Sequence, residues 1–218
     1  MLNKLVTTVS LLSALLAATA APQRPPTMPV PVPVPAPAGF KITSLGVLGT
    51  GCPPGTSYYV LSPDNSAVTV TFSEYFAQAG PGIPIAQNRR NCRLTFGVNV
   101  PPGFTFAIGT VDYRGYYQLD RGVTGGQSAS YYFQSLLNES FARKELVGPV
   151  DGADYIYRDQ FDLIATNTSP CGVSTVLNVN TELRVSNTGN RQGSGYIATD
   201  SVDAHLNTTY NFQWQTCK

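Results

Sequence analysis

Histidine is almost absent from this sequence, and its scarcity limits the chemistry open to the chain. Among 218 residues there is a single histidine, His205. A Ser-His-Asp triad needs a histidine as its base, and no G-x-S-x-G nucleophile elbow precedes His205 in the sequence. It stands in a polar stretch just before Asn207-Thr-Thr, which predicts a surface turn. We therefore assign no catalytic residues and favour a protein that is not an enzyme.

Charge of either sign is also scarce. The chain has 14 basic and 13 acidic residues, and loss of Lys4 with an export signal would leave no net charge. A neutral protein has no electrostatic field to attract DNA or RNA. We expect no nucleic-acid partner.

The four cysteines lack the spacing of a metal site. No two of them form a C-x-x-C pair, and one histidine cannot complete a zinc ligand set. An even number of cysteines in an exported chain indicates disulfides instead. Three pairings are possible, and we favour Cys52–Cys92 with Cys171–Cys217 because each closes a loop within one half of the chain. No metal and no other cofactor is expected.

Long apolar runs are absent after the N-terminus. Residues 1–20 combine a basic Lys4, a short apolar core and the small-residue sequence Ala18-Thr19-Ala20, which is the pattern of a cleavable signal peptide. A membrane anchor needs about 20 apolar residues, more than this run supplies. We expect cleavage after Ala20, no membrane anchor, and a secreted, extracellular protein that is either released or associated with the cell wall.

Proline is concentrated in the segment that follows the signal. Residues 21–39 are rich in proline, which fixes φ, removes a backbone donor and favours extended polyproline II. We interpret 21–39 as a proline-rich flexible or polyproline leader, which is either kept as a spacer or trimmed. Residues 40–218 are then a single domain.

The domain sequence has the pattern of short strands separated by turns. Runs of Val, Thr, Tyr and Phe alternate with polar residues, and Gly, Pro, Asn and Asp separate them. This predicts an all-β fold, an antiparallel β-sandwich of about 8–10 strands stapled by disulfides. One stretch, Ser135–Leu146, fits either a short helix or an irregular crossover. Turns are predicted at Ser62–Asn65, Pro101–Gly103, Gly125-Gly126, Asp151-Gly152 and Asn187–Asn190.

Three N-glycosylation sequons agree with an exported chain. They begin at Asn138, Asn167 and Asn207, and each becomes an acceptor if it is exposed and the host is a eukaryote. We predict a glycoprotein on this basis.

A group of acids is the nearest approach to a catalytic or calcium-binding cluster. Asp151, Asp154, Asp159 and Asp162 lie within twelve residues, and glycosidases need only two carboxylates. Asp159 and Asp162 are three apart, however, so a strand would point them to opposite faces. The spacing of a dedicated calcium loop is missing as well. We favour solvated acids that flank a tyrosine-rich strand.

Aromatic residues are the most suggestive feature of the composition. Tyr210, Phe212 and Trp214 alternate, so a strand would place all three on one face. If that face is outward, it forms a platform on which a sugar or another protein can stack. If it is inward, the three residues belong to the core, which is the commoner outcome for aromatics in a sandwich.

Several short motifs resemble those of a known family. They are Gly51-Cys52-Pro53, Ser62-Pro63-Asp64, Asn91-Cys92, Pro102-Gly103-Phe104 and the more specific Asp112-Tyr113-Arg114-Gly115-Tyr116. Together they resemble a secreted family of fungi and some bacteria known as domain of unknown function 4360 (DUF4360). The resemblance implies a small exported β-protein and supplies no activity or catalytic residue. Within the last motif, Asp112 and Arg114 share a strand face and can pair with each other or across strands, and Gly115 permits a bulge or a close approach.

Three functions remain open from the sequence. The leading hypothesis is a non-enzymatic extracellular or cell-surface protein that binds carbohydrate or another surface, with polysaccharide or an extracellular protein as partner. The second is a carboxylate-based hydrolase, and the third is a secreted effector or inhibitor of a partner protein. The sequence does not determine the oligomeric state.

Overall fold

The structure is a computed structural model that describes residues 36–134, 136–161, 168–199 and 207–217. The expected signal peptide, most of the expected leader, and the residues Asp162, Asn167 and His205 lie outside these ranges. Within them no helix is long and apolar enough to cross a membrane.

Twelve strands and one short 3₁₀ turn, Ile85–Gln87, make up the described chain. The strands are β1 (Lys41–Leu48), β2 (Ser57–Leu61), β3 (Ala67–Phe72), β4 (Phe76–Ala79), β5 (Arg89–Asn99), β6 (Phe104–Leu119), β7 (Thr124–Phe133), β8 (Ser140–Val147), β9 (Val150–Gln160), β10 (Thr175–Ser186), β11 (Gly195–Ala198) and β12 (Thr208–Thr216).

The strands form two antiparallel sheets, which confirms the predicted β-sandwich. The five-stranded sheet has the order β1-β5-β10-β7-β8. The seven-stranded sheet has the order β2-β3-β12-β6-β11-β4, and β9 pairs with β6 on its other side. The strand count exceeds the expected 8–10 because the short strands β2, β4 and β11 carry too few residues to show an alternating pattern.

The core lies between the two sheets and is built by strict alternation. In β3, β7 and β12 every second side chain is buried, as expected for strands with one face against a shared interior. Aromatic rings fill much of this interior, and they include Phe96, Phe106, Phe133 and Phe212. Edge-to-face contacts join several of them, with 5.0 Å between the ring centroids of Phe106 and Phe212.

Both disulfides join cysteines in the pairs that the sequence favoured. Cys52 is bonded to Cys92 across 40 residues, and Cys171 to Cys217 across 46. The first ties the loop after β1 to β5. The second ties the segment before β10 to the end of β12, so each staple closes a long loop and restricts the unfolded chain.

Three local predictions were wrong. The stretch predicted as a helix or crossover is a strand from Ser140 onward: among its described residues, 136–146, there is no helix, and β8 pairs with the edge of β7 that β10 leaves free. Gly125-Gly126 and Asp151-Gly152 are strand residues of β7 and β9 and form no turn. Partner strands pair with β8 and with Gly125-Gly126, so tertiary pairing outweighs local propensity there. Asp151-Gly152 lies where the register between β9 and β6 shifts, and Gly152 has a φ of +69°, as in a β-bulge. The turns at Ser62–Asn65, Pro101–Gly103 and Asn187–Asn190 are confirmed.

Candidate functional site

The aromatic triplet that we considered as a ligand platform is part of the core. Tyr210, Phe212 and Trp214 are 0%, 1% and 7% exposed. They project from β12 between the sheets, where Phe212 and Trp214 meet the ring of Phe40. The platform interpretation of these three residues is therefore wrong. The prediction that the three side chains share one strand face is correct. Packing of the two sheets against each other turns that face inward.

The motif of the resembled family lies on β6, and its residues point alternately to the two sides of the sheet. Tyr113 and Gly115 are buried, whereas Asp112 and Tyr116 are half-buried and Arg114 is exposed. The motif therefore has two roles. Its inward residues pack the core, and its outward residues belong to the surface of the seven-stranded sheet.

Three aromatic rings cluster on that outer surface. Phe76 of β4, Tyr196 of β11 and Tyr116 of β6 are each half-buried. The ring centroids of Phe76 and Tyr196 are 5.5 Å apart with nearly parallel planes, and those of Tyr116 and Tyr196 are 6.3 Å apart. We call Phe76, Tyr116 and Tyr196 the outer aromatic patch.

The strand register explains how the outer aromatic patch is built. Ala198 pairs with Phe76 on one side and with Tyr116 on the other. Tyr196 lies two residues away on the same face, so its ring meets both neighbours diagonally. Ala198 is only 1% exposed although it points outward. Its small side chain leaves room for the three rings to converge above it.

A polar pocket adjoins the patch at Tyr196. Tyr196 pairs with Gln78 on β4 and with Gln118 on β6, so a glutamine lies on each side of the ring. These three residues line a pocket of about 260 Å³ together with Asp120 and Ser194. Amide, carboxylate and hydroxyl groups there offer hydrogen-bond donors and acceptors next to an apolar ring face.

Asp112 pairs with a neighbouring strand and leaves Arg114 in solvent. Its carboxylate accepts two hydrogen bonds from Arg158 of β9, at 2.5 Å and 2.8 Å. Hydrogen bonding to Asp112 raises the pKa of Arg158. Of the two alternatives that the sequence left open, cross-strand pairing is the one observed.

Gly115 allows the close approach that its motif suggested. A Cβ atom there would lie 2.2 Å from the carbonyl oxygen of Ala198 and 2.2 Å from the ring of Tyr155. The Tyr155 hydroxyl lies 3.1 Å from that same carbonyl oxygen and 3.1 Å from Gln127 Oε1, and its single proton is shared between these two acceptors. The missing side chain thus makes room for a buried tyrosine that braces β11 directly beneath the patch.

Asp159 is the buried member of the predicted acid group. It is 8% exposed and accepts a 2.8 Å hydrogen bond from the Tyr131 hydroxyl, which is also bonded to the hydroxyl of Tyr113. Burial raises the pKa of Asp159, while the Tyr131 hydrogen bond and the charge of Lys144 oppose the shift. Burial likewise raises the pKa values of both tyrosines.

The surroundings of Asp159 do not supply the second carboxylate of a glycosidase. Asp159 lines a groove of about 490 Å³ between the edge strands β8 and β9, and the charged residues that line it with Asp159 are Arg143, Lys144 and Arg158. Asp151 and Asp154 are exposed at the start of β9. The described part of the chain therefore brings no carboxylate pair together around this groove.

The described sequons differ in exposure. Asn138 is exposed, as an acceptor must be, whereas Asn207 is half-buried at the start of β12 and its carbonyl accepts a hydrogen bond from the Arg114 amide. Glycosylation at these positions stays a prediction.

Sequence reasoning missed most of the patch. Phe76 and Tyr196 come from four-residue strands, whereas Tyr116 was marked by its place in the family motif. Their convergence depends on β6 pairing with β11, in which Leu119 meets Gly195, 76 positions further along the chain. No local pattern records such a pairing.

Comparisons with known proteins give one family and one relative. The family model described as Domain of unknown function (DUF4360) matches residues 38–217. A protein of Arthroderma benhamiae described as "Uncharacterized secreted protein" is 39% identical over 179 residues, which are 81% of this chain and 72% of that protein.

A solved structure, TmCBM61 in complex with beta-1,4-galactotriose, matches 81% of this chain and 91% of its own chain. Its identity is 12% and its TM-score is 0.26, values at which the likeness supports no argument about a ligand. The family match and the secreted relative, together with two disulfides, carry the assignment: this chain is a secreted protein and belongs to the family described as Domain of unknown function (DUF4360).

Proposed function

We propose that this secreted protein is a non-enzymatic binder of extracellular polysaccharide and that it holds the glycan on the outer aromatic patch. The observation that carries the proposal is the convergence of Phe76, Tyr116 and Tyr196 on one outer sheet face beside a polar pocket.

The chemistry of the patch suits a sugar ring. Sugars present a face of C–H groups that packs on the negative face of an aromatic ring, and a rim of hydroxyls that need hydrogen bonds. Gln78, Gln118 and Asp120 line the pocket beside Tyr196 and can bond such hydroxyls as donors or acceptors. A site with a few polar groups around an apolar surface is the usual design for small ligands.

The rigidity of the patch favours binding by a preformed surface. The rings rest on Ala198, which accepts the hydrogen bond of buried Tyr155 through its carbonyl. Side chains that are already packed lose little conformational freedom when a ligand arrives, so more of the contact energy appears as affinity.

Retention on insoluble polysaccharides tests the proposal. Chitin, β-glucan and cellulose are incubated with the purified protein, and the bound fraction is measured. Removing a ring that becomes buried under a ligand costs about 2 kcal/mol, so Tyr116→Ala and Tyr196→Ala should each weaken binding by about 30-fold. Tyr58→Ala is the matched control, because Tyr58 is 69% exposed on β2 and far from the patch in strand order.

Two results would overturn the proposal in different ways. Failure of the unmodified protein to bind any of the three polysaccharides rejects these glycans as its ligands. Retention that is unchanged in both patch variants, or equally reduced in the Tyr58 variant, rejects the outer aromatic patch as the site.

A further inference from the structure

A second concave site lies on the other sheet, and it has a different chemistry. The outer face of the five-stranded sheet contains a pocket of about 260 Å³ over β7, between its neighbours β10 and β8. Its lining includes Gly126, Arg143, Glu145, Glu182 and Arg184. The outer aromatic patch belongs to the seven-stranded sheet, so the two sites are independent of each other.

The pocket lies where a glycine occupies β7, a strand with a partner on each side. Gly126 pairs with Arg184 on β10 and with Glu145 on β8. Glycine weakens a strand interior and often marks a place where another group approaches the backbone closely. With no side chain between Arg184 and Glu145, the sheet has a depression with opposite charges on its two sides.

Two residues further along β7, the flanking charges are exchanged: the acid is on β10 and the arginine is on β8. Ser128 pairs with Glu182 on β10 and with Arg143 on β8. The four charged residues therefore form a square, with each arginine diagonal to the other. The charges of these four residues sum to zero, and positive and negative corners alternate around the pocket.

The corners differ in how far their charges are already compensated. Arg143 is paired with Glu145, and Glu182 with Arg89 of β5 at 2.5 Å. Arg184 makes no ion pair among the described residues, and Thr124 and Ser186 line the pocket beside it. A guanidinium next to two hydroxyls is well suited to a carboxylate.

We propose that this pocket binds a small zwitterion, an amino acid or dipeptide, with its carboxylate on Arg184 and its ammonium between Glu145 and Glu182. A simple anion would meet the two glutamates, and a simple cation would meet the two arginines, so each bears a repulsion that the zwitterion avoids. The pocket volume suits a molecule of this size.

Isothermal titration with three related probes tests the proposal. Alanyl-alanine carries both charges, N-acetyl-alanyl-alanine only the negative one, and alanyl-alanine amide only the positive one. We expect alanyl-alanine to bind at least about tenfold more tightly than either blocked probe, because each loses one charge-assisted contact worth about 1.5 kcal/mol. Added salt should weaken the binding, since the pocket is open to solvent.

Variants locate the binding and control for folding. Arg184→Gln should weaken alanyl-alanine binding at least about tenfold, and Gly126→Val should abolish it by filling the depression. Arg93→Gln is the control. Arg93 lies on β5 of the same five-stranded sheet, donates a hydrogen bond to Asn180 and does not line the pocket. Melting temperatures show which variants remain folded, and Arg184→Gln keeps the test valid if Gly126→Val does not fold.

The proposal fails if alanyl-alanine shows no binding at millimolar concentrations. Equal affinity for all three probes, or unchanged affinity in a folded Arg184→Gln variant, would refute it as well.

Discussion

Replacing Phe212 by alanine measures directly whether the β12 aromatics form the core. The ring is 1% exposed, and its centroid lies 5.0 Å from that of Phe106 and 6.3 Å from that of Phe96. Phe→Ala in a well-packed interior costs about 3–5 kcal/mol, the sum of lost burial and the cavity left behind. At about 2–4 °C per kcal/mol for a domain of this size, the melting temperature should fall by about 6–20 °C.

The assay uses a probe that the protein already contains. Trp214 is the sole tryptophan and is 7% exposed, so its fluorescence reports loss of the core during urea unfolding. Tyr58→Ala serves as the control, because an exposed side chain should change the free energy of unfolding by no more than about 0.5 kcal/mol.

A loss below about 1 kcal/mol for Phe212→Ala would refute the placement of β12 against the five-stranded sheet. Below its melting temperature, the variant should still be retained on any polysaccharide that the unmodified protein binds. Loss of glycan binding without loss of stability would instead indicate that the β12 aromatics form a ligand platform.

Two further predictions concern groups buried on the inner face. Gly115→Ala should lower the free energy of unfolding by about 3 kcal/mol, because its Cβ would overlap the Ala198 carbonyl and the Tyr155 ring; a melting temperature like that of the unmodified protein would contradict the close approach. Burial raises the pKa of Asp159 above its unfolded value, so the folded state favours the proton, and stability is lost as the pH rises from about 4 towards the folded pKa. Asp159→Asn should therefore gain stability relative to the unmodified protein between pH 4 and pH 7 in urea unfolding, and the opposite trend would show that the carboxylate is stabilised as the anion.

The longer strands could be predicted from the sequence where one face of the strand is buried and the other is not. Ala67–Phe72 and Thr208–Thr216 alternate apolar and polar residues, and the structure buries the apolar set in both. The exposed edge strand β8 was missed for the converse reason. Arg143, Lys144 and Glu145 give it no apolar alternation, and only its partner β7 makes it a strand.

The family motif shows how far sequence reasoning reaches at the candidate site. Its residues predicted a strand with a pairing acid and a close approach at glycine, and Asp112 and Gly115 behave in this way. It did not predict that Tyr116 would meet two aromatic residues from distant strands. Those contacts require the complete seven-stranded sheet.

The sequence by itself determined the antiparallel β class, through alternation that is local and repeats every two residues. The family followed from short motifs that stand complete in the chain. Only the tertiary structure decided which face of β12 is interior, which strands flank β6, and where charges gather around Gly126. Those features depend on contacts between residues far apart in the chain, and the burial of one sheet against another selects them.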